Sequence, residues 1–263
     1  MHRSSSTRKL GIGEALRIQP RRPPPPIHLS VLLAVLSDIH ANLAALESSL
    51  RLAEVHGVDA VYGLGDIVGY GPDPGPCVDL LRANCAGCVL GNHDEAVAFG
   101  RGVEDLPLDG QEAAALHRTL LTDEQLDWLR GLPLRLVAHD ATFVHASPDA
   151  PGAWHRLDGY YNVRSQFSAF ATSLCFVGHS HRPAVVADAL GVFAVRPGHR
   201  FLIDVGSVGQ PRDHDPRAAF ALYDTEAFEC EFVRAPYDVE ATARRIAEIG
   251  LPDALAERLR WGL

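Results

Sequence analysis

The stretch 31-VLLAVLSDIHAN-42 decides the fold. It opens with an unbroken apolar run, which is the pattern of a buried strand. The run leads directly into Asp38 and His40, and because residues i and i+2 of an extended chain share a face, both side chains can reach the same ion. Asn42 then offers an N-cap for an amphipathic helix over residues 42–57. A core strand that ends in two potential metal ligands indicates a site at the edge of a sheet.

Strands and helices alternate after this first pair. Residues 58–66 have the pattern of a second short strand and residues 86–91 that of a third. Between them, residues 73–84 are predicted to be a helix, with Asp73 at the N-cap and Pro74 in the first turn. This order predicts parallel βαβ crossovers, in which ligands bind outside the carboxyl ends of the strands.

The rest of the chain is helical first and then rich in strands. Residues 95–135 have a helical pattern, with helices at 109–121 and 123–132 and Thr122 as the cap of the second. Strand-like runs follow at 141–146, 174–179, 184–189, 192–195, 201–206, 218–224 and 228–234, and two short helices at 238–250 and 252–261. We therefore predict an α/β protein, a layered sheet with helices outside and a small helical insert at about 95–135.

Composition and charge limit the classes of function. With 263 residues, 47% of them apolar, the chain suits one α/β domain with elaborations as well as it suits two. Residues 1–30 carry six Arg or Lys against one Glu, so the formal charge of −9 leaves about −14 on residues 31–263. That balance argues against an extended nucleic-acid surface, which needs clustered basic residues, but it allows small phosphate esters held by metal ions.

The N-terminal segment carries four consecutive prolines, 23-PPPP-26, which fit neither a helix nor a central strand. We predict residues 1–30 to be a disordered, basic, proline-rich extension; a targeting or binding arm and a segment upstream of the natural start are the alternatives. The sequence has no apolar run long enough to cross a bilayer and no signal-peptide pattern. Its five scattered cysteines do not suggest a disulfide framework, so we expect a cytoplasmic protein without membrane contact.

Polar residues at the ends of the predicted strands form a set that a generic core does not need. Taken singly, each is ordinary, since a histidine after a strand is more often a satisfied polar residue than a ligand. Their joint occurrence, each directly after an apolar run, is what points to a metal site. The set comprises Asp38, His40, Asp66, Asn92, His93, His145, His179 and His181.

These residues stand in five motifs: D-x-H at 38–40, G-D at 65–66, G-N-H-D at 91–94, a strand-end His145, and G-H-x-H at 178–181. With all five present in this order, the chain resembles the calcineurin-like metallophosphoesterases over about 31–235. The segments 69-GYGPDP-74 and 205-VGSVGQPRD-213 are similar to the small prokaryotic phosphodiesterase-type branch. The resemblance implies an αββα sandwich, with helices outside two packed mixed sheets, and one metallophosphoesterase domain over residues 31–263.

The resemblance also implies a role for each residue in binding two divalent cations and cleaving a phosphate ester. Asp66 bridges the cations; one site is completed by Asp38, His40 and His181, the other by Asn92, His145 and His179. A hydroxide between the cations attacks phosphorus. His93 donates a proton to the leaving group or stabilises phosphate charge, and Asp94 either orients His93 or caps the helical insert. Ligands without a thiolate favour Mn, Fe, Zn, Ni or Co, and among these we favour manganese.

Several other residues have a functional and an ordinary interpretation. Arg212 is either a phosphate-binding fork in the cleft or a solvated loop arginine. Tyr70 is either a stacking surface of the cleft or a packing tyrosine. His155 lies at the cleft rim or, as we favour, simply on the surface. The C-x-x-C at 85–88 has redox or zinc chemistry as its less favoured interpretation. Asp204 stands where the family often has Asn, which leaves the capping of that loop open.

The complete set of motifs predicts an enzyme, a metal-dependent phosphoesterase for phosphodiester or phosphomonoester bonds of small nucleotides. Diesters are favoured, because similar proteins with a short helical insert in place of long specificity loops tend towards them. A dinucleoside tetraphosphatase and a Ser/Thr protein phosphatase are the alternatives. A catalytically inactive protein-binding scaffold is less favoured, because no ligand position is lost. The expected partner is a small phosphate ester, and the oligomeric state stays open.

Overall fold

The computed structural model describes residues 30–263, so the expectation for residues 1–30 lies outside the described residues except at Ser30. The described chain contains ten strands: β1 (Leu32–Leu36), β2 (Ala60–Gly63), β3 (Cys85–Cys88), β4 (Arg135–Ala138), β5 (Ala141–Val144), β6 (Leu174–Val177), β7 (Ala184–Ala187), β8 (Phe201–Asp204), β9 (Ala218–Asp224) and β10 (Glu229–Ala235). It also contains eight α-helices: α1 (Leu43–Val55), α2 (Pro74–Asn84), α3 (Asn92–Phe99), α4 (Leu108–Leu120), α5 (Asp123–Arg130), α6 (Tyr160–Ser165), α7 (Val239–Glu248) and α8 (Asp253–Trp261). The predicted α/β class is confirmed.

The strands form two five-stranded mixed sheets. In the first, ordered β10-β9-β1-β2-β3, the strands β1, β2 and β3 are parallel, and β9 and β10 add an antiparallel pair beside β1. In the second, ordered β4-β5-β6-β8-β7, the strands β5, β6 and β8 are parallel and are flanked by antiparallel β4 and β7. Each sheet therefore has three parallel strands with their carboxyl ends on one edge, and the predicted pair of mixed sheets is confirmed.

Strand β1 is buried on both faces, which explains its unbroken apolar sequence. Its side chains alternate between the faces of the sheet. Leu33 and Val35 belong to the apolar cluster between the two sheets, whereas Ala34 and Leu36 pack with the helices on the outer face. All four side chains are fully buried. The first strand thus joins the inner core to the outer one.

Aromatic rings fill the space between the two sheets. Phe143 on β5 stacks on Tyr62 of β2, with ring centroids 4.5 Å apart, and on Phe176 of β6 at 5.5 Å. Phe176 in turn lies 5.8 Å from Tyr223 on β9. Because this row begins and ends on the first sheet and passes through two rings of the second, it fixes how the sheets lie against each other. Large rings of this kind bury more apolar area than any other side chain.

Helices cover the outer faces of both sheets. Asn42 caps α1 as predicted, because its Oδ1 accepts a hydrogen bond from Ala45 N at 3.2 Å, and Thr122 caps α5 by accepting one from Gln125 N at 3.3 Å. The predicted helical insert is present as α3, α4 and α5. The outer face of the second sheet is covered more thinly, by α6 and the turn that follows it. No helix in the described part of the chain is both long and apolar enough to cross a membrane.

The structure differs from the sequence-based prediction in three places. Residues 192–195 are not a strand but part of the loop between β7 and β8, where Phe193 is 92% exposed. Strand β4 and helix α6 carry no clear apolar period and were not expected; β4 alternates between exposed and half-buried residues at a sheet edge. Asp73 precedes α2, but its carboxylate makes no capping hydrogen bond and pairs with Arg245 at 3.1 Å instead.

Replacing Phe143 by alanine should lower the free energy of unfolding by about 3–5 kcal/mol, because it opens a cavity in the row of rings between the sheets. Denaturant unfolding followed by circular dichroism measures the change. Phe193→Ala is the matched control: its ring is 92% exposed, so its effect should stay within about 0.5 kcal/mol. Similar losses of unfolding free energy in both variants would contradict the conclusion that Phe143 stabilises the packing between the sheets.

Candidate metal centre

The predicted ligands meet where the strand ends of the two sheets face each other. They follow β1, β2, β3, β5 and β6 in chain order: Asp38 with His40, Asp66, Asn92, His145, and His179 with His181. Asn92 and His179 are half-buried, and the other five are at most 2% exposed. All seven are brought together, as the sequence predicts.

Five of these seven residues have left-handed backbone conformations, with φ between 46° and 66°: Asp38, His40, Asp66, His179 and His181. Residues with a Cβ adopt this conformation at an energetic cost, and such strain is concentrated at functional sites. Backbone hydrogen bonds between the loops after β1 and β2 hold two of them, Asp38 N to Gly65 O at 3.1 Å and His40 N to Asp66 O at 2.9 Å.

The first group of potential ligands is Asp38, His40 and His181, whose donor atoms all lie within 4.8 Å of one another. Asp38 Oδ1 is 3.2 Å from His181 Nε2 and 3.8 Å from His40 Nε2. The two imidazoles approach each other at 3.2 Å through their Nε2 atoms. One carboxylate and two imidazoles therefore converge on a single point.

The second group is Asp66, His145 and His179, again with donor atoms within 4.8 Å. His145 Nε2 lies 3.2 Å from His179 Nδ1 and 3.1 Å from Asn92 Oδ1. The amide oxygen of Asn92 thus joins two imidazoles and a carboxylate, which makes four donors from both sheets.

Asp66 lies between the two groups. Its Oδ2 is 3.4 Å from His145 Nε2 and 3.7 Å from His40 Nε2, so one oxygen faces an imidazole of each group. Its Oδ1 accepts a hydrogen bond from His93 N, in the first turn of α3, at 2.8 Å. This amide contact holds the carboxylate in the position that a ligand shared by two cations needs.

Hydrogen bonds behind the imidazoles fix which ring nitrogen faces the site. His40 Nδ1 donates to Val68 O at 3.1 Å, His145 Nδ1 to Leu64 O at 2.8 Å, and His181 Nδ1 to Gln210 O at 2.5 Å. Because a carbonyl oxygen only accepts, each Nδ1 carries the hydrogen and each neutral ring turns an Nε2 lone pair inward.

The charges of the site call for a cation. The inward lone pairs of His40 and His181 lie 3.2 Å apart, and only a proton or a cation between them makes that contact favourable. Asp38 Oδ1 is buried without a hydrogen-bond partner. Burial is the largest influence on the pKa of Asp66 and acts to raise it, yet the neighbouring imidazoles of His145, His93 and His40 together outweigh burial and hold that pKa well below its usual value. Oxygen and imidazole donors with an unpaired carboxylate oxygen fit divalent metal ions.

The same interaction acts on His145. Burial alone would lower its pKa, but the facing carboxylate of Asp66 raises it to about 10. Positive charge is therefore favoured between Asp66 and His145, and a divalent cation supplies more of it than a proton does.

His93 belongs to neither of these two groups, but one of its ring nitrogens lies within 4.8 Å of donor atoms of His40 and Asp66, which makes a third cluster of potential ligands. Its ring stands edge-on to His40, with centroids 4.9 Å apart, and 4.5 Å from the ring of Tyr70. Burial lowers the pKa of His93 to about 4, and its Nδ1 has no hydrogen-bond partner. Nδ1 is buried beside Gly69, so the other side of the ring, which lines the cleft, is the one that can meet a substrate oxygen.

Asp94 does not orient His93. Its Oδ1 accepts hydrogen bonds from Ile67 N at 2.8 Å and Val68 N at 3.1 Å, and its Oδ2 accepts one from Gly91 N at 3.0 Å. Asp94 therefore caps α3 and ties it to the loop after β2. Of the two roles expected for Asp94, capping is the one that its contacts show, and the catalytic one needs correction.

The donor groups open into a cleft of about 640 Å³. Arg212 and Tyr70 both line it, with the guanidinium of Arg212 5.8 Å from the centre of the Tyr70 ring. His155 is exposed and does not line it, which agrees with its surface interpretation. The cleft is large enough for a small-molecule ligand.

The cleft residues that were not predicted from the sequence include Glu95, Trp154 and Arg156. Trp154 lies after β5 with a left-handed φ of 56°, and its Nε1 donates a hydrogen bond of 2.8 Å to Glu95 in α3. The indole ring is edge-on to His145 at 5.9 Å. A tryptophan and an arginine close together in the segment 151-PGAWHR-156 were the available sign of a cleft-lining loop. No hydrophobic period or sequence motif marks this segment.

Asp204 caps its loop despite replacing the Asn that the resemblance leads one to expect. Its Oδ1 accepts a hydrogen bond from Gly206 N at 3.0 Å, and its Oδ2 accepts one from the Ser180 hydroxyl at 2.6 Å. The residue thus supports the loop that carries His179 and His181. None of the potential ligand groups among residues 30–263 includes Cys85 or Cys88.

The sequence match to known families agrees with this geometry. Residues 31–227 match the calcineurin-like phosphoesterase superfamily domain. The chain belongs to this superfamily. Membership in this calcineurin-like family of phosphoesterase hydrolases, together with the two groups of buried Asp and His, supports binding of two metal ions.

Individual relatives extend the likeness over most of the chain. A crystal structure of a metallophosphoesterase from Sphaerobacter thermophilus is 37% identical, with a TM-score of 0.79 over 89% of this chain and 100% of that one. An uncharacterized protein of Methanocaldococcus jannaschii is 36% identical over 242 residues, 88% of this chain and 98% of its own. A symmetrical bis(5'-nucleosyl)-tetraphosphatase of Erwinia tasmaniensis is 33% identical, but over only 46% of this calcineurin-like chain and 45% of its own.

Replacing Asp66 by alanine should remove both metal ions, because its Oδ2 is the oxygen that faces both ligand groups. Metal analysis of the purified protein after loading with Mn(II) should find about two ions per chain in the wild type and less than about one in the variant. Asp105→Ala is the control, since Asp105 also lines the cleft but belongs to neither group. Full metal content in the Asp66 variant would contradict the shared position.

Proposed function

We propose that this protein is a dimetal-dependent phosphoesterase that hydrolyses phosphate esters of small nucleotides, with diesters preferred. The observation that carries the proposal is the place of Asp66 Oδ2, between an imidazole of the first sheet and one of the second. A carboxylate with imidazoles on both sides suits a pair of cations that share one phosphoryl group.

The distances between donor atoms separate the proposed ligands into two groups, one for each cation. Asp38, His40 and His181 would hold one cation and Asn92, His145 and His179 the other, and Asp66 would be shared by both. Bound cations at these positions supply Lewis acidity, which neutralises phosphate charge and lowers the pKa of water. The hydrogen bonds from His40, His145 and His181 to carbonyl oxygens keep the imidazoles in one orientation for this task. Manganese remains the metal that we favour.

His93 is proposed to act on the leaving group. It lines the cleft beside Asp66, and the hydrogen bond of its backbone N–H to Asp66 fixes its distance from the ligand groups. Its Nδ1 is buried beside Gly69, so a substrate oxygen would reach the imidazole at Nε2. A phosphate anion next to the ring favours its protonated form, from which it donates a proton to the departing oxygen.

The remaining lining of the cleft supports a nucleotide substrate. Neither Arg156 nor Arg212 forms an ion pair with a carboxylate among residues 30–263. Arg212 donates one hydrogen bond, to Gln210 Oε1 at 2.8 Å, so the other donors of the two guanidiniums are available to phosphate oxygens. Trp154 supplies an aromatic surface, held by Glu95, against which a planar base can pack. Anionic and aromatic groups in one ligand are the features of a nucleotide.

A dinucleoside tetraphosphatase is the second candidate. The observation that favours it is the likeness of part of the chain to proteins with that name, 33% and 29% identical over 129 and 132 residues. Two arginines in the cleft, neither of them in an ion pair with a carboxylate among residues 30–263, would also suit a substrate with several phosphates. A Ser/Thr protein phosphatase is less favoured, because an aromatic wall beside the ligands suits a base better than a peptide.

The Mn(II)-loaded protein should hydrolyse bis(p-nitrophenyl) phosphate and p-nitrophenyl phosphate and lose the activity on chelation. A panel of a cyclic nucleotide, a dinucleoside tetraphosphate and a phosphoserine peptide then ranks the natural classes by kcat/KM. We expect the cyclic nucleotide first and the phosphopeptide last. A preference for the dinucleoside tetraphosphate would select the second candidate, and inactivity on every ester would reject the proposed function.

His93→Ala should keep its metal content and lose about 10²–10⁴-fold in kcat, the range for a general acid. The loss should be smaller for p-nitrophenyl esters, whose leaving group needs no proton, than for an alkyl or nucleoside ester. The control is His155→Ala, because His155 is exposed and away from the cleft. Equal losses for good and poor leaving groups would argue against proton donation and for stabilisation of phosphate charge.

A further inference from the structure

His117 is a buried imidazole in the helical insert that the proposed chemistry does not use. It lies in α4, is fully buried, and belongs to none of the potential ligand groups among the described residues. A buried polar side chain must have its hydrogen bonds satisfied or it destabilises the fold. The partners of His117 are both in the turn 69-GYG-71, which follows β2.

The two ring nitrogens of His117 hold the two ends of this turn. Gly69 N donates a hydrogen bond to His117 Nδ1 at 3.0 Å, and His117 Nε2 donates one to Gly71 O at 2.9 Å. Since a backbone N–H only donates and a carbonyl only accepts, these partners require the neutral Nε2–H tautomer. Burial lowers the pKa of His117 to about 4, so the ring is neutral at neutral pH, as this pair of hydrogen bonds demands.

Between the two glycines, Tyr70 packs against the proposed active site. It is 4% exposed and has a left-handed φ of 56°. Its ring centroid is 4.5 Å from that of His93 and 4.7 Å from that of His40, and Arg212 lies over its face. Tyr70 therefore contacts the proposed proton donor, one proposed ligand and one proposed phosphate-binding residue.

The turn has no room to shift towards the site. A Cβ on Gly69, whose φ is +93°, would lie 2.5 Å from His93 Nδ1, and a Cβ on Gly71 would collide with the carbonyl oxygen of His40. Contacts this close mean that movement of the turn moves His93 or His40 with it.

Helix α4 presents one small-residue face to this turn and to His93. Gly110, Ala113, Ala114 and His117 recur at intervals of three and four residues, so they share a face of the helix. A Cβ added to Gly110 would be 3.3 Å from atoms of both His93 and Tyr70. Helix α4 of the insert thus packs directly against His93 and Tyr70, and His117, towards the end of the helix, hydrogen-bonds the turn.

We propose that His117 is a positioning residue of the phosphoesterase site. By holding both ends of the turn 69–71 it fixes Tyr70, and through Tyr70 it fixes the imidazole of His93 and the guanidinium of Arg212 against the substrate phosphate. The proposal rests on the proposed function, and it gives the helical insert a part in the reaction.

The test compares His117→Gln with His117→Leu. A glutamine amide has an acceptor and a donor on adjacent branches and can replace both hydrogen bonds, whereas leucine fills the volume and replaces neither. We expect the leucine variant to keep its metal content and KM while kcat falls about ten- to a hundredfold, because reacting groups are misplaced. The glutamine variant should recover most of that loss.

The control for helix stability is Ala115→Gly, an exposed position of α4 where glycine weakens the helix without touching the turn. Its kcat should match the wild type although its Tm is lower. Deuterium exchange of residues 67–72 gives a readout without activity: the Gly69 amide should exchange faster in the leucine variant and stay protected in the glutamine variant.

The outcomes separate the two proposals. An active wild type with an equally active leucine variant, or equal losses in the leucine and glutamine variants, would overturn the positioning role and leave the proposed function intact. If Ala115→Gly lost as much kcat as the leucine variant, weakening of helix α4 would explain the loss, and the positioning role of His117 would be rejected. A wild type that hydrolyses no ester of the panel would overturn the proposed function itself.

Discussion

Two buried carboxylates facing buried imidazoles are the interaction on which the rest of the site depends. Asp38 and Asp66 are at most 1% exposed, and taking ionised carboxylates out of water is costly unless positive charge compensates them. The compensating groups come from the other sheet: His181 faces Asp38, and His145 faces Asp66. The site therefore consists of charged side chains that face each other across the two sheets. The packing of the sheets and the geometry of the ligands constrain each other.

This site brings backbones closer than ordinary side chains permit. A Cβ on Gly91 would collide with the backbone nitrogen and carboxylate of Asp66, so only glycine lets the end of β3 approach the loop after β2. Left-handed conformations at several ligands cost on the order of 1 kcal/mol or more each. The fold tolerates this strain because the row of rings from Tyr62 to Tyr223, only a few residues away along the strands, holds the sheets rigidly.

The sequence predicted best what depends on strand ends. The apolar runs located the parallel strands, and the topology carries a polar residue directly after each run to one edge, so the closeness of Asp38, Asp66 and His145 follows from the pattern. Side-chain direction is not written in such a pattern. Asp94 was expected beside His93 or at a cap, and only its three backbone contacts decide between them. The run at 192–195 is apolar, yet it lies in the loop between β7 and β8 and belongs to neither sheet.

The residues that the sequence did not reveal share a physical origin. His117 and Trp154 reach the site from a helix and an irregular loop, and each makes its decisive contact with a residue distant in the chain, Gly69 at 48 positions and Glu95 at 59. Contacts of that kind depend on how segments pack and leave no local period. The Trp154–Glu95 hydrogen bond also links a loop of the second sheet to the insert that follows the first.

The cleft has two parts, a floor and walls, and the Trp154–Glu95 hydrogen bond belongs to the walls. The floor is made by strand ends that the sheets hold rigidly, and the walls are made by the insert and by the loop after β5, which no ladder constrains. Chemistry requires fixed distances among ligands, whereas recognition requires surfaces that can vary in shape without moving those ligands. Reaction type therefore follows from the floor, and the choice among phosphate esters follows from the walls, to which Glu95 of the insert and Trp154 and Arg156 of the loop after β5 contribute.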